Sequence, residues 1–524
     1  MPKLIKNSEI HYPLLNTFCG EDQKPKEPRQ TPDAFYCIAE PDRTPNPTLL
    51  ACSEGMCSSL DLNYPLTAED LGLLAGNADQ SKLRPYATCY GGHQFGNWAG
   101  QLGDGRAINL GALQSAQSHL IELQTKGSGL TAYSRSADGK AVLRSSVREY
   151  IMSEAMAYLG VPTTRALCIF STGEKVRRDM FYDGNIKLES GAIVCRTAES
   201  FLRFGHFEIL ASRGKKKEIN ALTDFIINQY FPGLESRSED RQFQLFKTIF
   251  DKTLDLIVAW QRVGFTHGVL NTDNMSLLGL TIDYGPFGML DQFKLDYTPN
   301  TTDLPGRRYA FGQQPFIGLW NLERLAVALL QAGGDQEPYL ELLKSYNSMF
   351  YNKFSVMKAQ KLGLSESGQA NILDIIKATS EVMEKCAADY TLFFRAITAI
   401  RDIPYKQDKE QLNRLLQSFY REGTEIVDDI KAYLMLYRKV IGEVSWQDPD
   451  ALKTMKANNP VFIPRNHHLF AASEKLDDGD HTAFELLLKS LTTPYAEEHP
   501  EHLISKAPAW AFATPGCSTL SCSS

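Results

Sequence analysis

The residues between Thr266 and Asp283 have the types and spacing of a metal–nucleotide site. The run from Thr266 to Asn274 reads THGVLNTDN, and Asp283 follows it in the tripeptide Asp-Tyr-Gly. Asn274 and Asp283 offer the oxygen ligands that Mg²⁺ takes alongside ATP phosphates. Asp273 is a carboxylate that could accept the proton of a bound hydroxyl group. The spacing therefore predicts ATP chemistry with Asp273 as the base.

One position of this loop departs from the pattern of a kinase. From His267 to Asn274 the loop keeps the HGDxxxxN length of small-molecule kinases, but Val269 stands where the aspartate is expected. Protein kinases use an aspartate of this loop to take the proton of the substrate hydroxyl. Ordinary kinase chemistry is therefore disfavoured. The structural alternative is that Asn-Thr-Asp-Asn is only a turn and that Asp-Tyr-Gly only ends a strand.

A glycine-rich turn precedes the loop in the chain. Residues 100–106 read GQLGDGR, in which Gly103 and Gly105 would let the backbone approach phosphates and Arg106 adds a cation. The order GxxGxG is the reverse of the kinase GxGxxG. Such a turn is also common in hairpins without any ligand.

Lys126 ends an alternating segment and is the candidate for a phosphate-binding lysine. In kinases such a lysine is held by a glutamate from the next helix, and Glu149 is in the corresponding place here. The alternative is a capping box, in which Glu149 and Ser146 fix the start of that helix.

Three further signals are weak when each is taken alone. Asp138 and Gly139 form a turn motif that reads as solvent-exposed. Arg196 and Arg203 have the planar fork that matches phosphate, although lone arginines are more often surface or ion-pair residues.

The elements that must position these residues are predicted first for residues 86–205. Alternating strands dominate there, with one helix over 146–159 and later strands over 166–170 and 192–196. A glycine-punctuated hairpin, a lysine-bearing strand, a helix and more strands follow the order of a kinase small lobe.

The rest of the chain is predicted to be helical. Residues 206–524 contain a long amphipathic helix over 243–263 that leads to His267, and a single helix is expected over 372–398. Residues 1–85 are interpreted as an N-terminal extension packed on the small lobe. The predicted fold class is α+β: a bilobal protein-kinase-like fold with a strand-rich small lobe and a large helical C-terminal lobe.

Composition limits the partners and the location. The net charge of −7 and the pI near 5.9 argue against nucleic acid or an anionic membrane as a bulk partner. The sequence has no apolar run of membrane-spanning length, and its start resembles neither a signal peptide nor a transit peptide. A cytoplasmic protein is expected. Most of the ten cysteines are expected to be buried, whereas Cys522 lies in an exposed tail.

Taken together, these motifs resemble the selenoprotein O (SelO, or YdiU) family. The resemblance rests on the runs YGGHQFG from Tyr90, QLGDGR from Gln101 and KGSGLT from Lys126, on the His267 loop, and on the closing SCSS. It covers nearly the whole chain from about Phe35. The resemblance implies a pseudokinase that binds ATP in an inverted orientation and transfers AMP to Ser, Thr or Tyr hydroxyls of target proteins, with release of pyrophosphate.

The resemblance also implies a role for each matched residue. Asp273 would be the proton acceptor, and Asn274 and Asp283 would hold Mg²⁺, with Mn²⁺ as an alternative. Cys522 matches the family's redox residue, but residues 291–314 hold no cysteine to pair with it, so Cys517 or Cys386 would have to serve. The nucleotide would contact Gly103, Gly105, Arg106, Lys126, Asp138, Gly139, Arg196, Arg203 and Asp283.

Other functions remain open from the sequence. Transfer of UMP from UTP is one, because no base-reading residue can be named. A phosphotransferase is disfavoured by Val269, and a non-catalytic ATP-binding scaffold is disfavoured by the retention of Asn274 and Asp283 beside Asp273.

Overall fold

A large mixed sheet forms the strand-rich part of the molecule. The computed structural model describes residues 10–22, 27–77, 83–234, 239–364 and 369–521. Within these residues, the sheet has nine strands in the order β1-β2-β4-β7-β8-β11-β10-β3, with β9 on β11; all pairs are antiparallel except β1–β2. The strands are β1 Gly20–Glu21, β2 Tyr36–Ile38, β3 Thr48–Cys52, β4 Tyr86–Thr88, β7 Ala107–Gln114, β8 Leu120–Lys126, β9 Ala141–Val142, β10 Arg165–Asp179 and β11 Ile186–Ala198.

Two short two-stranded sheets of the described residues lie outside this sheet. They pair β5 His93–Gln94 with β6 Asn97–Trp98, and β12 Phe265–Thr266 with β13 Gly288–Met289. Both pairs are close to the loop singled out by the sequence. β12 leads directly into His267, and His93 of β5 donates from its backbone nitrogen to Thr272 Oγ1.

Strands from the first 85 residues belong to the same sheet. β1 and β2 form one edge, and β3 pairs with β10 at the other edge. The expected strands over 166–170 and 192–196 are the buried parts at the start of β10 and near the end of β11; the two strands extend further as a hairpin whose tip is exposed. The boundary near residue 85 stays a prediction.

Helices make up most of the remaining chain. In order they are α1 Pro13–Thr17, α2 Glu54–Ser59, α3 Ala68–Leu74, α4 Leu143–Tyr158, α5 Phe204–Ser212, α6 Lys216–Tyr230, α7 Arg241–Val263, α8 Gln314–Leu330, α9 Glu337–Leu362, α10 Gln369–Lys385, α11 Tyr390–Ile400, α12 Asp408–Leu416, α13 Thr424–Ile441, α14 Pro449–Asn458, α15 Asn466–Asp477, α16 Thr482–Leu491, α17 Glu501–Ile504 and α18 Ala509–Ala513. The chain therefore has the mixed composition of the α+β class. No helix among the described residues is long and apolar enough to cross a membrane.

Helix α4 packs against the sheet and carries Glu149. It begins at Leu143, and its N-cap residue Val142 makes no side-chain capping bond. The capping-box interpretation of Ser146 and Glu149 is therefore wrong: both residues lie inside the helix, and both are buried. The Glu149 carboxylate is consequently available to the residues of the sheet.

Helix α7 delivers the chain to the candidate loop, as expected. It ends at Gly264, whose φ of 76° gives the left-handed turn that directs the chain into β12. Its buried face includes Phe250, Ile257 and Trp260 in the largest hydrophobic cluster, which also contains side chains of the sheet and of α4.

The prediction of a single helix over 372–398 is wrong, because the structure has two helices there. The helical conformation is interrupted between α10 and α11. Ala387 has a left-handed φ of 57°, and Asp389 caps α11 by accepting a bond from Leu392 N at 3.0 Å. Apolar periodicity continues across this break because both helices bury residues in one second hydrophobic cluster, so periodicity alone did not reveal it.

Candidate active site

An ion-pair network joins the sheet, helix α4 and the segment after the loop. Lys126 Nζ lies 2.7 Å from Glu149 Oε2 and 3.6 Å from Asp283 Oδ1. Arg196 Nη1 donates to Glu149 Oε1 at 3.0 Å and also to Asp283 Oδ1. Arg203 Nη1 donates to Asp283 Oδ2 at 2.5 Å. The expected Lys126–Glu149 ion pair is present, and both arginines belong to the same network.

Strand register places two of these cations side by side. In the ladder between β8 and β11, Val194 is opposite Lys126 and Arg196 is opposite Gln124. Residues two apart on a strand point to the same face, so Lys126 and Gln124 both project toward the network. Arg196 Nη2 donates to Gln124 Oε1, which fixes the orientation of the guanidinium.

Arg203 is positioned by the loop itself. Its backbone forms a bridge with Ser276, and its Nη1 donates to the carbonyl oxygen of Asp273 at 2.9 Å. Its guanidinium lies 4.6 Å from the ring centroid of Tyr90. Arg203 thus ties the ion-pair network to the residue predicted to be the base.

The cations around Asp283 favour the ionised form of its carboxyl group. Burial by itself would raise the pKa of its carboxyl group, but Arg203, Arg196 and Lys126 outweigh that effect and hold the pKa well below its usual range. Its backbone has a left-handed φ of 57°, a conformation that non-glycine residues seldom adopt. This conformation lets the carboxylate face both arginines at once.

Asp273 has the opposite electrostatic setting. Burial raises the pKa of its carboxyl group to about 6, against the smaller opposing effects of the bond from Gln94 and the charge of Arg203. Gln94 Nε2 donates to its Oδ2 at 3.1 Å, whereas Oδ1 is buried and accepts no hydrogen bond from the described residues. A buried oxygen without a hydrogen-bond donor could accept a bond from a bound molecule, such as the hydroxyl group of a substrate.

The loop around Asp273 is held by backbone contacts. His267 Nε2 lies 3.0 Å from the Ile282 carbonyl oxygen, and Gln314 Oε1 accepts a bond from His267 N at 2.9 Å. Asn274 Nδ2 donates to the Val269 carbonyl oxygen at 2.8 Å. The Val269 backbone therefore has a structural role, although its side chain supplies no base.

Asn274 and Asp283 are the predicted Mg²⁺ ligands; Asn274 has an oxygen available for an ion, whereas both carboxylate oxygens of Asp283 already contact cations of the network. Since the amide nitrogen of Asn274 is engaged, its Oδ1 remains, and this oxygen accepts no hydrogen bond from the described part of the chain. No cluster of three or more His, Cys, Asp or Glu ligands occurs among the described residues. Mg²⁺ at nucleotide sites needs only one or two protein oxygens because phosphates and water supply the others.

The segment from Gly91 to Gln94 closes over Asp273, and sequence reasoning assigned it no role. A Cβ on Gly92 would lie 2.9 Å from Asp273 Cβ, and His93 N donates to Thr272 Oγ1 at 2.7 Å. The available signal was the Gly-Gly pair before a polar residue, which permits close approach of two backbones. Gln124 was also missed; it lies two residues before Lys126 on the same face of its strand, and strand alternation is the signal that would place it there.

The glycine-rich turn owes its glycines to packing. A Cβ on Gly103 would lie 2.4 Å from the Tyr133 ring, and one on Gly105 would lie 2.7 Å from the Tyr133 carbonyl oxygen. The Arg106 carbonyl accepts a bond from Gly127 N at 2.8 Å, so Arg106 lies beside Lys126, and its charge contributes to the lowered pKa of that lysine. The main cause of that lowering is burial.

Asp138 and Gly139 are not part of the ion-pair network. Asp138 Oδ2 and Oδ1 accept bonds from the two terminal nitrogens of Arg178 at 2.7 and 2.8 Å, at the surface. Gly139 has a φ of 72° and packs against Gly129, where a Cβ would lie 2.2 Å from the carbonyl oxygen. These contacts are those of a turn that supports the strand end after Lys126.

The C-terminal tail contacts the segment that follows the loop. Leu520 N donates to the Pro299 carbonyl at 2.8 Å, and Asn300 Nδ2 donates to the Gly268 carbonyl at 3.1 Å. Cys522 lies outside the described residues, so its redox role and its pairing stay predictions. Cys517 is buried, and burial raises the pKa of its thiol to about 12; Cys386 is also buried.

If Asp273 is the proton acceptor of the nucleotide transfer that the family resemblance implies, we predict that Gly92→Ala displaces it and lowers the rate of that transfer at least about tenfold, because misplacement of a reacting group is costly. Gly233→Ala is the matched control, since a Cβ there meets nothing within 4 Å. Initial rates of transfer measure the effect. Equal rates in the two variants would contradict the close packing described here.

We predict that Asp283→Asn lowers the free energy of unfolding by about 3 kcal/mol, because it leaves buried cations without their shared partner. The carboxyl pKa is depressed in the folded state, so this contribution is present above the unfolded pKa of about 4 and is lost as the pH falls further. Melting temperatures at neutral pH measure it, with exposed Asp478→Asn as the control. An unchanged melting temperature in Asp283→Asn would contradict the network.

Comparison with known proteins identifies the family of this chain. The model of the family described as "Protein adenylyltransferase SelO" matches residues 23–492. The "Protein nucleotidyltransferase YdiU" of Cytophaga hutchinsonii is 44% identical over 522 residues, covering 99% of each chain; that of Azoarcus sp. is 45% identical over 505 residues, covering 95% of each; and that of Flavobacterium johnsoniae is 39% identical over 529 residues, covering 99% of this chain and 100% of the relative. The chain belongs to the SelO family of protein adenylyltransferases and is a nucleotidyltransferase.

Proposed function

We propose that this nucleotidyltransferase moves AMP from ATP to a Ser, Thr or Tyr hydroxyl of a target protein and releases pyrophosphate. One observation carries the proposal: the buried Asp273 has an oxygen without a donor and adjoins a network of three cations, while Val269 occupies the position of the usual kinase base. A base and a phosphate-binding network are both present, but the base is displaced by four residues along the loop.

The proposed fold for this chemistry is the bilobal protein-kinase-like arrangement. The ion pair between a strand lysine and a helix glutamate, followed by a loop and a carboxylate in a left-handed turn, supports it. The nucleotide is proposed to bind inverted, with its outer phosphates toward Arg196 and Arg203. Both guanidinium groups are buried and carry full charge, because Asp283 raises their pKa values against the opposing effect of burial.

In the proposed reaction, Asp273 handles the proton. The acceptor hydroxyl donates to Asp273 Oδ1, and its oxygen forms a bond to the α-phosphorus as the bond between that phosphorus and pyrophosphate breaks. The proton passes to Asp273, and the negative charge leaves with pyrophosphate. Lys126, Arg196 and Arg203 neutralise the phosphate charge. A carboxylate with a pKa near 6 is ionised at neutral pH yet is basic enough to take a proton.

Asn274 and Asp283 would hold the divalent ion, Mg²⁺ with Mn²⁺ as an alternative. Such an ion supplies positive charge to the triphosphate. The remaining proposed nucleotide contacts, Gly103, Gly105, Arg106, Asp138 and Gly139, lie on turns that support the strand ends on either side of Lys126. Of these residues, Arg106 brings a cation beside Lys126.

The proposal predicts which phosphate of the nucleotide becomes attached to protein. With Mg²⁺ and a mixture of acceptor proteins, ATP labelled at the α-phosphate gives covalent label and ATP labelled at the γ-phosphate gives none. Asp273→Asn loses transfer by about a hundredfold or more, because it removes the general base. Exposed Asp478→Asn retains transfer. Parallel reactions with α-labelled UTP determine the nucleotide preference.

Each other outcome names a different function. Covalent γ-label alone would establish a kinase and contradict the proposed role of Asp273. Label from UTP in place of ATP would establish UMP transfer. ATP binding without any label would establish a non-catalytic scaffold.

The proposal also predicts an acid limb in the pH profile. Because Asp273 must be deprotonated to accept the proton, kcat/KM for transfer falls about tenfold per pH unit below about pH 6. The same profile is measured for Gln94→Leu, which removes a bond that favours the ionised form, so its limb shifts to higher pH. An acid limb that stays in place in Gln94→Leu would contradict the assignment of the limb to Asp273.

A further inference from the structure

Two arginines flank an indole ring close to the proposed base. The guanidinium carbons of Arg308 and Arg324 lie 4.7 and 5.3 Å from the ring centroid of Trp320. Trp98, 41% exposed, lies against His93, whose ring also meets Trp320 at 5.4 Å. We name the set of Trp98, Arg308, Trp320 and Arg324 the arginine–tryptophan patch.

No carboxylate among the described residues forms a close ion pair with either arginine side chain of this patch, although the charge of Arg308 acts on Asp303 and its side chain interacts with the Tyr309 hydroxyl. In the described ranges, neither Arg308 nor Arg324 forms an ion pair, and the Nε of each is buried without a hydrogen bond. Two carboxylates of this region are held by groups other than the arginine side chains, although Glu208 Oε2 is buried without a hydrogen bond in the described residues. Asp303 is buried and accepts bonds from Arg308 N at 3.0 Å and Tyr309 N at 2.9 Å, and Glu208 Oε1 lies 2.6 Å from His93 Nδ1.

The chain has a net charge of −7, so carboxylates are in excess; even so, Arg308 and Arg324 form no ion pair among the described residues. Elsewhere in the site, each buried arginine has a carboxylate, as Arg196 and Arg203 share Asp283. Two guanidinium groups held over an aromatic ring are preorganised to receive a carboxylate, which matches their planar fork.

A single short segment separates the patch from Asp273. His93 contacts Trp320 with its ring and Thr272 with its backbone, and the next residue, Gln94, donates to the Asp273 carboxylate. On the other side, Tyr309, next to Arg308, donates from its hydroxyl to Asn271 Oδ1. A ligand on the patch therefore lies beside the acceptor hydroxyl that Asp273 would deprotonate.

An apolar groove continues from Arg308. A cavity of about 840 Å³ is lined by Arg308 together with Leu295, Phe316 and Tyr351, and the aromatic side chains are 48% and 55% exposed. Arg308 belongs to both the patch and the groove. A cavity of this volume has room for a large side chain of the same ligand whose charged group contacts the patch.

We infer that the patch and the groove bind the polypeptide segment of the protein substrate that carries the acceptor hydroxyl. A carboxylate of that segment contacts Arg308 and Arg324, and a large apolar side chain occupies the groove beside Phe316. This inference rests on the proposed function, because it assigns the substrate of the same site. A polypeptide is favoured over nucleic acid, whose binding sites use many cations along a backbone, whereas this patch has two and the chain is acidic.

The charge arm of the test uses two synthetic peptides. Both carry a central serine and a leucine further along, with glutamates beside the serine in one and glutamines in the other. Equilibrium titration of the full chain is expected to give at least about tenfold tighter binding of the glutamate peptide. Arg308→Gln combined with Arg324→Gln is expected to abolish that ratio of Kd values. Arg414→Gln with Lys456→Gln removes the same charge from exposed positions elsewhere and is expected to retain it.

The groove arm uses a third peptide in which alanine replaces the leucine. Phe316→Ser is expected to abolish the preference for leucine over alanine. Val327→Ser, a change at an equally exposed position of α8, is expected to leave that preference intact. Because each arm compares two peptides on one variant, a general loss of folded protein cannot produce the expected change.

Three results would overturn the inference. The first is equal binding of the glutamate and glutamine peptides by the unaltered chain. The second is a preference that survives loss of both arginines. The third is arginine-dependent binding of a single-stranded oligonucleotide in place of the peptides. Binding needs no transfer, so peptide binding that follows the expected pattern without covalent α-label would contradict the proposed function, while the patch and the groove would still be assigned as a peptide-binding surface.

Discussion

The site depends on one half-buried carboxylate that three cations share. Asp283 contacts Arg196, Arg203 and Lys126, and Glu149 supplies the second negative charge of the network. Charges removed from water are tolerated only when they are paired, so the strands, helix α4 and the loop segment must converge at this point. The network remains one positive charge in excess, which suits it to receive the phosphates of a nucleotide.

The two aspartates of the site are separated by their surroundings. Cations hold the pKa of Asp283 well below its usual range, so it stays charged, while burial with few donors raises the pKa of Asp273 to about 6. Neighbouring carboxyl groups whose pKa values are driven apart commonly divide the tasks of charge stabilisation and proton transfer. This separation of the two pKa values is the basis for proposing a metal and phosphate role for Asp283 and a proton role for Asp273.

Much of this site could be predicted because each of its main motifs is recognisable within a short stretch of sequence, although the structure brings those stretches together from distant parts of the chain. The spacing from His267 to Asp283, and the lysine and glutamate on successive elements, indicated which residues meet. Gln94 and Gln124 were missed because amides have no distinctive spacing and gain their roles only from register and from close backbone approach. The capping box and the helix over 372–398 were wrong for a related reason: a local pattern cannot show where tertiary contacts begin or break a helix. Asp138, by contrast, lies in the exposed turn that its sequence indicated.

The central claim is that the cation network receives an inverted ATP, so that the α-phosphorus faces Asp273. A crystal structure of the protein with Mg²⁺ and a non-hydrolysable ATP analogue tests this most directly. The account predicts that the outer phosphates contact Arg196 and Arg203 and that the α-phosphorus is the phosphorus nearest Asp273. An analogue bound with its γ-phosphate nearest Asp273, in the orientation of a kinase, would contradict it.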